Sequence, residues 1–474
     1  MTDGLGLGDV YGAMIERIKE QGGNKSRLGI GALMWISHAE RPLGPVELCH
    51  ALAIELDSTD FNPGNVPPIT TLVGCCQGLI IVDKEGSTVR LIHFTLQEYF
   101  SAHHDIFGTP HSAIAEICLT YLNSSQARAL SAGPSTNLSA LIDDKPFLRY
   151  YSLYWGVHAK KELSDCARSL ALQLFREYDG HISAALLVAS VWFRPNFHTG
   201  SLWSGLHCAS YFGIVNVVAA LIEEGCYDLN EGNCLGRTAL SLAAEMGHEE
   251  VVKILLGKKE VNPDKQDYHG RIPLSHAAEG GDERVVKMLL GQENVNPDKP
   301  DNHGRTPLSF AMKSGDETVV KMLLGQEKVN PDKPDYHCRA PLSYAAWHGH
   351  EGVVRILLGR GEVNPDRKDD SGQTPLSYAA AYRREGVVKI LLGRKEVNPG
   401  KPDNDGKTPL SYAAEAGDEG VVKILLGREE VNPGKLDNYG RMPLSYAAWH
   451  GHEGVVKILL GREEVNPNAL DRDG

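Results

Sequence analysis

The feature that most constrains this chain is a sentence repeated at a fixed interval. Thr374-Pro-Leu-Ser-Tyr-Ala-Ala-Ala returns as Thr408-Pro-Leu-Ser-Tyr-Ala-Ala-Glu and as Met442-Pro-Leu-Ser-Tyr-Ala-Ala-Trp. Further copies start at Thr238, Ile272, Thr306 and Ala340, and a worn copy starts at Ser204. Each start lies 34 residues after the last, which gives eight units. A fixed period of this length predicts a solenoid, in which each unit stacks on its neighbours because none can bury its apolar face alone. Such a stack presents a long surface rather than a catalytic pocket.

Each unit has its own local logic. Thr at the N-cap and Pro at the first helical position start a short helix. An Ala pair lets that helix approach its neighbours closely. Gly247, Gly281, Gly315, Gly349, Gly417 and Gly451 then end it where a left-handed residue is needed. A second helix carries Val-Val and Leu-Leu on one face, closed by Gly257 and its equivalents. The stretch from Val-Asn-Pro to Asp-x-x-Gly predicts an extended hairpin that reaches the next unit. Ile272, Ala340 and Met442 replace the capping Thr. On that ground Met442→Thr is expected to stabilise by about 1 kcal/mol.

The unit resembles the ankyrin repeat from Ser204 to Gly474. Three departures stand out. Family units are usually one residue shorter, and the extra residue falls around Val-Asn-Pro-Asp-Lys-Pro. The family's His after Thr-Pro-Leu is Ser in seven units and survives as His207. The fifth full unit has Arg383 at the left-handed glycine position, a strained choice. The chain stops at Asp471-Arg-Asp-Gly, the opening of a ninth hairpin.

Comparing the units with one another separates stacking from recognition. Positions shared by all units serve stacking, and positions that differ are free to specify a ligand. The differing positions are the hairpin tips and the ends of the first helices. The resemblance implies that these two sets line a concave face that holds protein partners. The candidate contact residues are Tyr268, His269, Tyr336, His337, Trp347, His348, Asp370, Tyr382, Glu415, Tyr439, Trp449 and His450. Exposed Trp and Tyr are the usual energetic anchors of an interface. The alternative for Trp347 and Trp449 is simple packing on neighbouring helices.

Chemistry other than binding finds little support. His348-Gly-His350 and His450-Gly-His452 lie three units apart and cannot share an ion, and a metal needs three or four convergent ligands. The serines equivalent to Ser241 recur in every full unit, which marks scaffold. There is no Gly-x-Ser-x-Gly and no phosphate-binding Gly-x-x-x-x-Gly-Lys-Ser/Thr. Gly22-Gly-Asn-Lys-Ser and Gly406-Lys-Thr are decoys with the wrong spacing. We therefore expect no enzyme activity, no cofactor and no metal.

Residues 1–108 read differently. Helices are predicted at Asp9–Lys19, with Val10, Met14 and Ile18 on one face, at Leu28–Ala39, at Pro45–Ile54 and at Ile69–Gln77. A β-hairpin follows across a turn at Lys84. Thr95 is then the expected N-cap of a helix from Leu96 to His104. Short helices followed by a two-stranded wing predict a winged-helix domain. A DNA reader needs Arg or Lys where its helix meets phosphate. Ile69-Thr-Thr-Leu-Val-Gly-Cys-Cys-Gln has neither. Lys+Arg against Asp+Glu is 15 to 20 over residues 1–199 and 33 to 41 over the rest. Neither half has a nucleic-acid or membrane-surface footprint.

Residues 109–200 are read as a helical connector, with a loop from Ser131 and helices at His111–Leu122, Arg149–Ala159 and Ser164–Tyr178. Tyr150, Tyr151, Tyr154 and Trp155 form an aromatic stripe expected to be core. The run Ala184-Ala-Leu-Leu-Val-Ala-Ser-Val-Trp-Phe is too short to span a bilayer. Nine cysteines without framework spacing fit a reducing interior. The expected compartment is the cytoplasm, with the nucleus left open.

Residues 9–105 also resemble the winged-helix segment that follows the NACHT domain in fungal NOD-like receptor proteins, a class of signal-transducing NTPases. Asp9-Val-Tyr, Trp35-Ile-Ser, Ala39-Glu-Arg-Pro-Leu, His50-Ala-Leu-Ala, Gly78-Leu-Ile and His93-Phe-Thr-Leu-Gln-Glu-Tyr-Phe carry the likeness in order. The resemblance implies an NTPase domain ahead of Met1 and a NACHT domain as partner, in cis or in trans. The chain then reads as the C-terminal part of such a receptor. The fold expected overall is mainly α: a winged helix, a connector and, over 201–474, an eight-unit solenoid.

Overall fold

The computed structural model describes residues 6–56, 58, 60–83, 87–130, 138, 140–141, 145–192 and 203–468. The turn at Lys84, most of the loop from Ser131 and the chain end from Asp471 lie outside the described residues. The chain divides into two compact units, Met1–Cys234 and Leu235–Gly474. The first contains the worn repeat together with everything before it. The second contains seven full repeats.

Helix Leu7–Glu20 opens the first unit and buries Tyr11, Ile15 and Ile18. The expected face of Val10, Met14 and Ile18 is turned by one position. Tyr11 points inward, where its hydroxyl pairs with Thr95 Oγ1 at 2.7 Å, and Val10 is exposed. The next helix starts at Gly23 rather than Leu28 and runs to His38, so the break shrinks to Gln21 and Gly22. Gln21 Nε2 donates to the Cys75 carbonyl at 2.8 Å. A Cβ on Gly29 would stand 2.9 Å from that same oxygen, so glycine permits this crossing with helix Ile69–Cys75.

Helix Pro45–Leu52 completes the helical cluster. The wing follows as Ile80–Asp83 antiparallel to Thr88–Leu91, with Ile80 opposite Leu91 and Asp83 opposite Thr88. Leu43 bridges Val89 on the far side of that strand. Helix Phe94–Ala102 starts earlier than expected. Its N-cap is His93, whose Nδ1 accepts from the Thr95 N–H at 3.3 Å, while the Thr95 hydroxyl is engaged by Tyr11.

The connector is built on helices Pro110–Asn123, Pro146–Lys161 and Asp165–Phe175, the last capped by Ser164. The aromatic stripe is core at Tyr150, Tyr151 and Trp155, all nearly free of solvent. Trp35 meets Phe147 and Tyr150 edge-on at 5.5 and 5.7 Å. Edge-to-face pairs of this kind are favoured by the ring quadrupoles. Trp155 packs on Phe175 and on Phe212 of the worn repeat, at 5.5 and 5.7 Å. A Cβ on Gly156 would fall 2.2 Å from Phe212 Cγ, so this helix meets the repeat with no room for a side chain. The apolar run at Ala184 is part of a helix, Ile182–Trp192, buried at Ile182, Ala184, Leu186 and Leu187.

In the second unit the first helices run Ala239–Glu245, Pro273–Gly280, Pro307–Ser314, Pro341–His348, Pro375–Ala381, Pro409–Ala416 and Pro443–Trp449. The second helices run Glu249–Leu256 and at 34-residue steps to Glu453–Leu460. The Val pair and the first Leu of each pair are buried in nearly every copy. Thr238, Thr306, Thr374 and Thr408 cap as expected, each accepting from the N–H three residues on. Ile272, Ala340 and Met442 make no such side-chain bond, but all three are buried. Their apolar contacts stand in for the missing cap, and this lowers the gain expected from Met442→Thr.

The six left-handed glycines have φ between +67° and +87°, and Arg383 holds the same conformation at +59°. Cys338 shares it at +59°, where every other full repeat has glycine at the hairpin turn. The glycines that close the second helices, such as Gly257 at φ −71°, are right-handed and not required by φ. No helix among the described residues is long and apolar enough to cross a membrane.

Candidate partner-binding face

The hairpins and first helices are tied together by a repeated polar knot. Ahead of six of the first helices an Asp stands three positions before the hairpin-turn residue, which is glycine except at Cys338. Asp335 Oδ1 accepts from the backbone N–H of His337 and of Arg339, both at 2.9 Å. Its Oδ2 accepts from the Arg339 guanidinium at 2.9 Å and from the Tyr344 hydroxyl at 2.6 Å. The same hydroxyl bond joins Tyr378 to Asp369, Tyr412 to Asp403 and Tyr446 to Asp437. His276 takes that role for Asp267 at 3.2 Å, and Phe310 leaves Asp301 to Arg305. Burial alone would raise these carboxyls. The Tyr hydroxyl, the backbone donors and the neighbouring arginine outweigh it and hold Asp335 and Asp437 below the usual carboxylate range, while the His276 hydrogen bond and Arg271 hold Asp267 down to about 2.

In three repeats the cation after the turn glycine reaches onward to the end of the first helix. Arg237 pairs with Glu245 at 2.5 Å, Arg271 with Glu279 at 3.7 Å and Lys407 with Glu415 at 2.7 Å. Arg441 lies 4.7 Å from the ring of Tyr439 at a tip and 5.1 Å from that of Tyr446 on a helix. These links join the two variable sets into one strip.

Along the tips, backbone bonds run from one hairpin to the next: Asn302 N to His269 O, Tyr336 N to His303 O, Asp370 N to His337 O and Asn438 N to Asp405 O, at 2.8 to 3.0 Å. Asn302, Asn404 and Asn438 add a side-chain bond to the carbonyl of the preceding tip. Part of the tip variation is therefore structural. Tyr268 and Tyr336 lie against Gly236 and Gly304 of the preceding turns, which have no Cβ in their way, and remain two-thirds exposed. His337 Nδ1 stands 3.9 Å from Asp370, both in solvent.

At the helix ends, Trp347 is the centre of an aromatic stack. Tyr344 and Tyr378 lie nearly parallel to it, at 6.4 and 5.9 Å. Tyr382 and His348 close the stack at 5.1 and 5.8 Å. Tyr344 and Tyr378 are held from behind by their aspartates, so the platform is rigid. Trp449 occupies the equivalent place and is 81% exposed. Among the described residues it makes no ring contact. Glu415 faces His450 at 3.9 Å.

The second histidine of each His-Gly-His reaches back instead of toward an ion. His350 Nε2 meets the Lys313 carbonyl at 3.3 Å and His452 Nε2 the Glu415 carbonyl at 3.0 Å. Arg384 does the same for the Trp347 carbonyl at 3.0 Å. Each satisfies a carbonyl left open in the last turn of the preceding repeat's first helix. Where the residue is Asp282, Asp316 or Asp418 it caps its own helix.

Sequence comparisons bear directly on this frame. The family model "Ankyrin repeats (3 copies)" matches residues 177–267, 259–335, 330–403 and 386–471, well over half of the chain. The chain belongs to the ankyrin-repeat family. The model "GPI inositol-deacylase, winged helix domain" matches residues 17–107, the helices and wing described above. The chain is also similar to the crystal structure of the human ASB11 ankyrin repeat domain, with 28% identity and a TM-score of 0.43, over 48% of this chain and 98% of that one. No curated protein matches the chain. As an ankyrin protein with a winged-helix domain before the solenoid, it is a protein-interaction scaffold.

Of the twelve candidate residues, the ankyrin frame brings Trp347, His348 and Tyr382 into one cluster, Glu415 and His450 into a pair, and His337 and Asp370 into another. Tyr268, His269, Tyr336, Tyr439 and Trp449 are placed singly along the same strip. The sequence reading missed the Asp–Tyr knot, although its signal was present. An Asp and a Tyr nine residues apart recur in four full repeats.

Proposed function

We propose that this ankyrin protein is a non-enzymatic scaffold that captures a protein partner on the strip formed by its hairpin tips and first-helix ends. One observation carries the reading. Of the eight large hydrophobic side chains exposed among the described residues of Leu235–Gly474, five are aromatic, and Tyr268, Tyr336, Tyr382, Tyr439 and Trp449 all lie on that strip. Exposed aromatics on a rigid frame are the usual anchors of an interface.

Trp449→Ala is the cleanest test, because the side chain has no packing to lose. A partner isolated with the wild-type chain and identified by mass spectrometry should bind the purified variant at least tenfold more weakly. The melting temperature should not move. Wild-type affinity in both Trp449→Ala and Tyr382→Ala would place the interface elsewhere.

The proposed setting is NOD-like receptor signalling in the cytoplasm of a fungus. The winged-helix match followed by ankyrin repeats supports it, and a NACHT domain, in cis or in trans, is the partner proposed for the first unit. A transcript carrying an in-frame Gly-Lys-Ser/Thr motif upstream would make the chain the C-terminal part of a NACHT NTPase.

A further inference from the structure

Three chain segments distant in sequence converge in the first unit on a set of donors that the interaction reading does not use. Glu40 follows helix Gly23–His38. His111 lies in the first turn of Pro110–Asn123, and His158 in the last turn of Pro146–Lys161. One ligand atom from each lies within 4.8 Å of the others. His111 Nδ1 and His158 Nδ1 face each other at 2.8 Å. We propose that Glu40, His111 and His158 form a binding site for a zinc-like divalent transition-metal cation.

The donor chemistry fits. Two imidazoles and one carboxylate are a three-ligand zinc set that leaves a fourth position open. Softer cysteine donors are absent from the cluster, and so is the oxygen-rich shell that calcium or magnesium takes. The far nitrogen of His158 is already fixed: Nε2 lies 2.9 Å from the Tyr150 hydroxyl. That hydroxyl also accepts the Glu40 backbone N–H at 3.0 Å. Tyr150 thus orients one ligand ring and anchors the chain at another ligand, the arrangement that outer contacts give to metal-binding histidines. Nε2 of His158 is directed at Tyr150, and its Nδ1 faces His111 across the shared space.

Two adjustments would accompany binding. Nitrogens sharing a tetrahedral zinc at ~2.0–2.1 Å sit about 3.3 Å apart, so the rings must part by about half an ångström. Glu40 must also turn from Lys161, now at 2.6 Å. That pair is part-exposed and holds little energy. His158 is buried, while Glu40 and His111 are half-buried and open a path to solvent.

The test uses the full chain with zinc in calorimetry and cobalt in visible absorption. The expected result is one ion per chain with a Kd of about 1 μM or tighter, and cobalt d–d bands of a low-coordinate site. His111→Ala should weaken binding by about 100-fold and Glu40→Gln by about tenfold. Circular dichroism without metal checks that each variant is folded. Glu40→Gln, a half-buried conservative change, keeps the test decisive if His111→Ala fails to fold. Absence of stoichiometric binding overturns the proposal. So does binding that both folded variants retain in full, because the ion would then sit on other histidines.

Discussion

The two compact units handle buried polar groups in opposite ways. In Leu235–Gly474 one solution is found and copied with variations: an Asp receives two backbone N–H groups, joined from repeat to repeat by a cation, a hydroxyl or an imidazole. In Met1–Cys234 each group is handled once. Thr95 is held by Tyr11, Glu40 N–H by Tyr150, and His181 by Ser183 and the Leu122 carbonyl. The copied design spreads stability over nearest-neighbour contacts, so damage stays local. The unrepeated design concentrates it in a few large aromatic residues, so damage there is global to the unit.

Trp155→Ala probes this contrast most strongly. It should cost about 3–5 kcal/mol, the usual loss for removing a buried Trp. Hydrogen exchange resolved along the sequence should show faster opening across the first unit and unchanged protection in the middle repeats. Equal loosening of both units would break the comparison.

Acid comes next. Burial pushes His181 down to about 4, against the pull of its bond to the Leu122 carbonyl and with Arg128 nearby. A folded pKa below the usual 6.5 means that the unfolded chain takes the proton first. The stability is therefore complete above pH 6.5 and is lost as pH falls toward 4, by roughly 3 kcal/mol at most. His276 is the fully buried counterpart among the described residues of the second unit, lowered by burial and held by Asp267. Asp267 itself, lowered to about 2, loses its contribution only below the usual carboxylate range. Between pH 6.5 and 4 the first unit should loosen ahead of the repeats, as followed by exchange at each pH.

Within the repeats a paired substitution sharpens the point. Tyr412→Phe leaves Asp403 with backbone donors, because Lys407 is directed to Glu415. Its cost should be about 1.5–3 kcal/mol, that of a hydrogen bond to a charged group. Tyr344→Phe leaves Arg339 on Asp335, as nature has done with Phe310 and Arg305, and should cost about 1 kcal/mol. Urea melts of the two variants decide the order.

Met442→Thr should have the smallest effect. A cap contributes about 1 kcal/mol, but the buried Met side chain is lost. The net change in melting temperature should be close to zero.

Much of this was legible in the sequence because repetition supplies its own comparison. The left-handed glycines, the strained Arg383 and the places where units differ all follow from laying one repeat on the next. What that comparison blurred was exposure. It treated Trp347 and Trp449 alike, whereas Tyr378 and Tyr382 pack on the first and the second is largely in solvent. The variable tips also include Asn302, Asn404 and Asn438, whose side chains brace the hairpins. In the first unit no second copy exists to compare. The inward turn of Tyr11 depends on Thr95, far along the chain, and this in turn moved the cap to His93. Likewise His111 and His158 are remote in sequence, and helix packing alone brings them together.

The stretch around the extra residue of each repeat has a mechanical consequence. Lys299 reaches back to Asp264 at 2.6 Å, Lys333 to Asp298 at 2.8 Å, Arg367 to Asp332 at 2.9 Å and Lys401 to Asp366 at 2.7 Å. Gly400 and Gly434 then stand where the aspartates were, and Lys435 has no carboxylate at the matching place. The rungs end two repeats before the last described helix. Repeats over Asp264–Lys401 are thus fastened by one more tie per step than those beyond. The Trp347 platform sits on the doubly fastened stretch, and Trp449 on the stretch held by the Asn438 and His452 bonds.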